Sequence, residues 1–235
     1  MRAALLALAC LLCAGAARAD CRLALALGLD VSGSVDAREY GLQRDGLAAA
    51  LEAPGVRAAF LSQPAAPVRL AVFEWSGPEQ QRLVVDWTVV DGPAALDRAA
   101  ARLRATSSLY DDPATAIGAA LAHGAGLLAG QARCWRRVLD ISGDGPSNSG
   151  PHPAAVAGGA FSGVTVNGLV IGPRSRANTT KDLTNVKSLE GYYRAHVIRG
   201  PGAFVETARD FDDFARAMRR KLLRELAPPA LSLRQ

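Results

Sequence analysis

From residue 23 onward, short and largely apolar runs alternate with stretches in which apolar residues recur every three or four positions. Leu23–Leu29 (LALALGL) is apolar from end to end, the signature of a strand buried on both faces. Val68–Trp75 predicts a second strand. Ser76-Gly77-Pro78 then turns the chain, and Leu83–Val90 follows closely enough to be its antiparallel partner. Arg136–Ser142, Gly163–Ile171 and Ala203–Thr207 predict three more strands.

Helical spacing covers Asp36–Leu51, Ala94–Arg104, a stretch from Thr115 to about Leu128, a short piece at Pro153–Ala160, and Asp210–Leu226. The last of these is strongly amphipathic, with Phe211, Phe214, Met218, Leu222 and Leu226 on one face. Pro54-Gly55 reads as the end of the first helix, and Pro64–Pro67 as a second break. Residues 172–190 are polar and read as irregular, with a helical turn at Glu190–His196. Strands and helices therefore alternate, which predicts an α/β fold. The expectation is a single doubly wound, mainly parallel sheet with one antiparallel edge strand and helices on both faces.

The first residues stand apart from this pattern. Arg2 precedes an apolar segment, Ala3–Ala14, and Ala17-Arg18-Ala19 has the small-residue form of a cleavage site. Residues 1–19 thus read as a signal peptide, 20–228 as the folded domain, and 229–235, after Pro228-Pro229, as a loose tail. The chain is expected to be exported, with the periplasm favoured over secretion, and no stretch is long and apolar enough to predict a membrane span. Loss of Arg2 and Arg18 brings the 27 basic residues to 25 against 22 acidic ones, a near balance. No basic block with interleaved aromatics is present, so nucleic acid is not an expected partner.

Cys10 and Cys13 leave with the signal peptide, and Cys21 and Cys134 remain. Each precedes an apolar strand that ends in an acid-bearing loop. If those strands are parallel neighbours, both cysteines sit at one end of the sheet. An exported chain then predicts a Cys21–Cys134 disulfide, the alternative being two buried thiols.

The chemistry gathers where strands end. Asp30-Val31-Ser32-Gly33-Ser34 places one carboxylate and two hydroxyls on a strand-to-helix turn, the part of an open parallel sheet where ligands bind. Carboxylate and hydroxyl oxygens suit a hard cation such as Mg²⁺ or Mn²⁺. Three ligands are too few, and two later loops offer more: Thr115 at a helix mouth, and Asp144 between Gly143 and Gly145. Each has a plainer alternative. Ser32, Ser34 or Thr115 could cap a helix, and Asp144-Gly145 could be a turn.

Taken together and in order, these positions resemble the von Willebrand factor A-type (vWA) domain. The metal-ion-dependent adhesion site (MIDAS) of that family uses D-x-S-x-S, a threonine in a middle loop, and an aspartate after the fourth strand. Asp30, Ser32, Ser34, Thr115 and Asp144 fill those positions, and the resemblance spans nearly the whole chain after residue 19. Asp30–Asp36, Glu74-Trp75, Ile141–Pro146 and Gly200–Phe204 further resemble a bacterial exported branch of uncharacterised function (DUF1194-like). One departure from the pattern is Ala114 before the threonine, with Asp111 and Asp112 nearby as possible additional charge.

The resemblance implies binding rather than catalysis. The hydroxyls would touch Mg²⁺ (or Mn²⁺), the two aspartates would act largely through water, and an open coordination position would accept a carboxylate from a protein partner. Glu74 and Trp75, at the end of the second strand, are candidates to shape the partner surface, with packing in the core an equal alternative for Trp75. Two alternatives differ in class. A metal-dependent hydrolase or phosphatase would normally place a second acid two residues after the first, where this chain has Ser32. A structural subunit of an envelope complex would carry the metal site as a vestige.

Overall fold

The computed structural model describes residues 21–107, 114–173 and 180–228; the expected signal peptide, the tail 229–235, and Asp111 and Asp112 lie outside them. The six strands are β1 (Leu23–Asp30), β2 (Val68–Trp75), β3 (Gln81–Val90), β4 (Arg137–Gly143), β5 (Val164–Ile171) and β6 (Val205–Ala208). They form one sheet in the order β3-β2-β1-β4-β5-β6. Every pairing is parallel except β2 with β3, so β3 is the antiparallel edge strand. The order reverses between β1 and β4, which opens a crevice at the carboxyl ends of these two strands.

The helices are α1 (Ala37–Glu52), α2 (Pro54–Leu61), α3 (Pro93–Arg104), α4 (Ile117–Ala129), α5 (Thr180–His196) and α6 (Phe214–Leu226). β1 shows why they divide between two faces. Leu23, Leu25, Leu27 and Leu29 point into one core with residues of α1, α2, α3 and α6, while Ala24 and Ala26 point into the other with α4 and α5. Small residues on the second face let α4 lie close to the sheet: a Cβ added at Gly124 would come within 2.3 Å of a Leu139 methyl.

The structure adds one helix and corrects three local expectations. The first helix ends at Glu52, just before Pro54-Gly55 as expected, and Pro54 also occupies the first turn of the added helix α2, where its missing N–H costs nothing. Helix α5 extends through Thr180–His196, much of which the polar sequence predicted to be irregular. Pro153–Ala160 forms two 3-10 turns, Pro153–Ala155 and Gly158–Phe161, rather than one helix. A 3-10 turn at Phe211–Asp213 leads into α6, which therefore starts later than its apolar spacing predicted.

Cys21 and Cys134 are joined by a disulfide, with Cα atoms 4.6 Å apart, at the amino-terminal ends of neighbouring β1 and β4. Such bridges persist in oxidising, extracytoplasmic compartments. Among the described residues, no helix is long and apolar enough to cross a membrane.

Candidate functional site

The oxygen cluster assembles at the β1/β4 crevice. β1 delivers Asp30 as its last residue, fully buried. The backbone N–H of Ser32 donates to Asp30 Oδ1 at 2.9 Å, which folds the Asp-Val-Ser turn over the carboxylate. Ser32 Oγ lies 3.2 Å from Ser34 Oγ, and Ser34 Oγ donates to Asp144 Oδ1 at 2.8 Å. A chain of oxygens therefore runs from buried Asp30 and Ser32, through Ser34, to half-buried Asp144 beyond the end of β4. Two loops more than a hundred residues apart in sequence meet here because β1 and β4 are neighbours.

The helix-cap alternatives do not hold. Asp36, not either serine, caps α1, in a reciprocal capping box with Glu39. The residue preceding α4 is Ala116, and the helix instead receives Ser147 Oγ at the Ile117 N–H, 3.2 Å away. Ser32, Ser34 and Thr115 are left without a capping role.

Thr115 is buried and fixed through its backbone. Its N–H donates to Asn148 Oδ1 at 2.7 Å, and its carbonyl accepts from the Asn148 N–H at 2.9 Å and from Ser147 Oγ at 3.1 Å. On its other side, Ala116 N–H donates to the Ser76 carbonyl at 2.8 Å. The threonine loop is thus stitched both to the end of β2 and to the loop that carries Asp144. No hydrogen bond joins the Thr115 side chain to the other four residues among those described.

Electrostatics mark the pair of carboxylates. Burial pushes the Asp30 carboxyl up to about 7, the nearby Asp144 charge adds to this, and hydrogen bonding from Ser32 only partly offsets it. Asp144 is likewise raised by burial, against the Ser34 hydrogen bond. Asp30 Oδ2 is buried and has no hydrogen-bond partner among the described residues. Two carboxylates forced together, one with an orphaned oxygen, form an arrangement that a cation would relieve.

The donor set is all oxygen, which fits Mg²⁺ or Mn²⁺ better than a soft metal. No group of three or more His, Cys, Asp or Glu residues suited to a metal occurs among the described residues, so a cation held here would depend on hydroxyl oxygens.

Supporting residues escaped the sequence reading. Gln43 of α1 is buried. Its Nε2 donates to the Asp30 carbonyl at 2.7 Å, and its Oε1 accepts from Ser142 Oγ at 3.1 Å. Tyr193 of α5 reaches beneath the site. Its hydroxyl and the Trp75 indole N–H are both buried without a partner among the described residues. Burial, with the charges of Asp30 and Asp144, drives the Tyr193 hydroxyl well above its ordinary pKa.

Gly143 makes room for these groups. A Cβ there would lie 2.4 Å from Tyr193 Oη and 3.0 Å from Asp30 Oδ2.

The surface role expected for Glu74 and Trp75 is corrected. Their relative exposures are 1 % and 0 %, so neither presents a face to a partner. Glu74 instead accepts from the Tyr40 hydroxyl at 2.7 Å and pairs with Arg82, an internal neutralisation that the Glu-Trp dipeptide alone did not reveal.

Solved structures that share this fold include a von Willebrand factor type A protein. The chain is 16 % identical to proximal thread matrix protein 1 from the mussel byssus, with 89 % of this chain and 49 % of that one covered and a TM-score of 0.57. It is 19 % identical to a von Willebrand factor type A protein from Catenulispora acidiphila, covering 88 % of this chain and 43 % of that one at a TM-score of 0.52. It thus spans about half the length of these proteins or less.

An aerotolerance-related membrane protein from Bacteroides fragilis is matched over 99 % of its length and 86 % of this chain, at 15 % identity and a TM-score of 0.54. Another structure of the mussel protein has zinc in its MIDAS motif. At these identities the likeness establishes the fold. No curated protein matches the chain. The family described as protein of unknown function (DUF1194) matches residues 20–230, and the chain belongs to it.

Proposed function

We propose that this member of the family is an exported binding domain, active in the periplasm, that holds a divalent cation at Asp30, Ser32, Ser34, Thr115 and Asp144. Through that cation it binds an acidic group of a protein partner. Mg²⁺ is the favoured ion and Mn²⁺ its close substitute, because all five side chains offer hard oxygen donors. The observation that carries the reading is the convergence of Asp30 and Asp144 through two serine hydroxyls at the topological switch point, with Asp30 Oδ2 buried and unpartnered among the described residues.

The cation would neutralise the carboxylate pair and leave a coordination position toward solvent, on the side where Gly33 is exposed. Ser32 and its backbone orient Asp30, Gln43 holds the strand end from below, and the Asn148 and Ser147 bonds fix the threonine loop. The mussel protein with zinc in its MIDAS motif supports the use of such a site for metal in this fold. Ser32 stands where a hydrolase or phosphatase of this layout would need a second acid, which favours binding over turnover.

The test is Mn²⁺ titration followed by electron paramagnetic resonance. The reading expects one saturable site, displaced by Mg²⁺ and absent from Asp144→Ala. Unchanged Mn²⁺ binding in that variant, or Mg²⁺-dependent turnover of p-nitrophenyl phosphate by the wild type, contradicts it.

A further inference from the structure

A cavity lies at the opposite end of the sheet from the oxygen cluster. Its volume is about 550 Å³, and it is lined by the amino-terminal ends of β4 and β5 and the carboxyl end of α6. Three guanidinium groups line it, those of Arg136, Arg137 and Arg224. Arg136 donates to the Ala227 carbonyl at 3.0 Å, and Arg137 to the Ser162 carbonyl at 2.6 Å. Arg224 lies over the Phe204 ring, 3.8 Å from its centroid. None of the three forms a salt bridge among the described residues, whereas most other arginines that bond to side chains do so with carboxylates.

The floor of this cavity is built from buried polar groups. Glu225 and Asn167 both line it, with exposures of 1 % and 2 %. Glu225 Oε1 accepts from Lys221 Nζ at 2.6 Å and from Asn167 Nδ2 at 2.8 Å, which fixes the carboxylate. Its other oxygen, Oε2, is buried with no partner among the described residues.

Trp135 stands at the rim, 63 % exposed, one of only three large hydrophobic residues that are exposed among those described. It is not loosely held. It follows Cys134 of the disulfide, and its N–H donates to the Cys21 carbonyl at 3.0 Å.

We propose that this cavity is a second recognition site, which takes an acidic peptide segment of a partner protein. Side-chain carboxylates of the segment meet Arg136, Arg137 and Arg224, and Trp135 covers the segment's apolar atoms. The exposed indole beside the arginines separates a peptide from a bare anion. Phosphate satisfies the arginines but leaves Trp135 uncovered, whereas an acidic peptide brings apolar atoms for the indole together with carboxylates for the guanidinium groups. The site shares no residue with the oxygen cluster and needs no metal. The domain would therefore engage partners at both ends of its sheet.

The probe is acetylated, amidated hexaglutamate, titrated into the intact domain in EDTA and followed by tryptophan fluorescence and by the Trp135 indole resonance. Saturable binding is expected that weakens as salt rises, falls about tenfold or more in Arg136→Ala/Arg224→Ala, and is unchanged in Asp144→Ala. Trp135→Ala, at an exposed position, serves as a second variant whose fold is not in question, and it should also weaken binding. The proposal is overturned by no saturable binding, by equal binding in the arginine variant and in Trp135→Ala, by loss of binding in Asp144→Ala, or by binding of phosphatidylglycerol vesicles without binding of the peptide. Because the assay contains chelator and includes the Asp144 variant, its outcome is independent of the metal-site reading.

Discussion

Replacing Gly143 by alanine tests how the site is supported from below. The new Cβ would sit 2.4 Å from Tyr193 Oη, 3.0 Å from Asp30 Oδ2 and 3.6 Å from Trp75 Cζ2. Tyr193 and Trp75 are both fully buried, so neither ring can swing into solvent to relieve the contact. Overpacking of this kind costs about 1–3 kcal/mol. In a domain of this size that corresponds to roughly 2–4 °C in Tm for each kcal/mol.

The shortest contact is to a hydroxyl that has no hydrogen-bond partner among the described residues, so Tyr193→Phe should itself be nearly neutral and should relieve most of the cost. Urea unfolding of the wild type, both single variants and the double variant gives the cycle. The expected result is an interaction energy of about 1 kcal/mol or more, with the double variant more stable than Gly143→Ala alone. A neutral Gly143→Ala, or the same loss with and without Tyr193→Phe, would refute the packing argument.

Three further outcomes can be checked by denaturation. Lys221→Met removes the cation that lies 2.7 Å from Asp140 and 2.6 Å from Glu225, leaving two buried carboxylates unpaired, and should destabilise by about 3–5 kcal/mol in urea unfolding at pH 7. Burial pushes Asp140 up to about 7, with Lys221 opposing and Glu225 adding to the shift, so the folded protein holds a proton that the unfolded chain has released. The stabilisation linked to that proton is fully present below about pH 4 and is lost as pH rises toward 7. Asp140→Asn should therefore flatten the fall in stability measured between pH 4 and 7, and an unchanged slope would count against the assignment. Removing the disulfide as Cys21→Ala/Cys134→Ala frees a loop with a sequence separation of 113 and should lower stability by about 2–5 kcal/mol, read from the urea midpoint.

Much of the scaffold was legible because strands buried on both faces must be apolar throughout. β1 could be read as such a run, and an acid or glycine at the end of a strand marks where the sheet meets solvent. That is why Asp30, Ser32, Ser34 and Asp144 stood out. Asp140 was a quieter signal, a charge inside an apolar strand, and its partners Lys221 and Glu225 sit on a helix face whose apolar residues alone attracted notice.

Gln43 was invisible for a related reason: a buried amide is recognisable only once the carbonyl of Asp30 and the hydroxyl of Ser142 are beside it. Only the last part of α5 was read as helical because Val186, Leu189 and Tyr193 recur at helical spacing but are diluted by polar neighbours. Helix α2 was not foreseen because proline ends one helix and begins another equally well, and Pro54 does both, following the end of α1 and opening α2.

The most direct test of the metal-site reading is calorimetric titration of Mg²⁺ into the folded domain and into Ser32→Ala/Asp144→Ala, with both shown to be folded by their unfolding transitions. The account predicts one-site binding near millimolar or tighter in the wild type and none in the variant. A folded wild type that takes up no Mg²⁺ and no Mn²⁺, or a variant that binds as the wild type does, would contradict it.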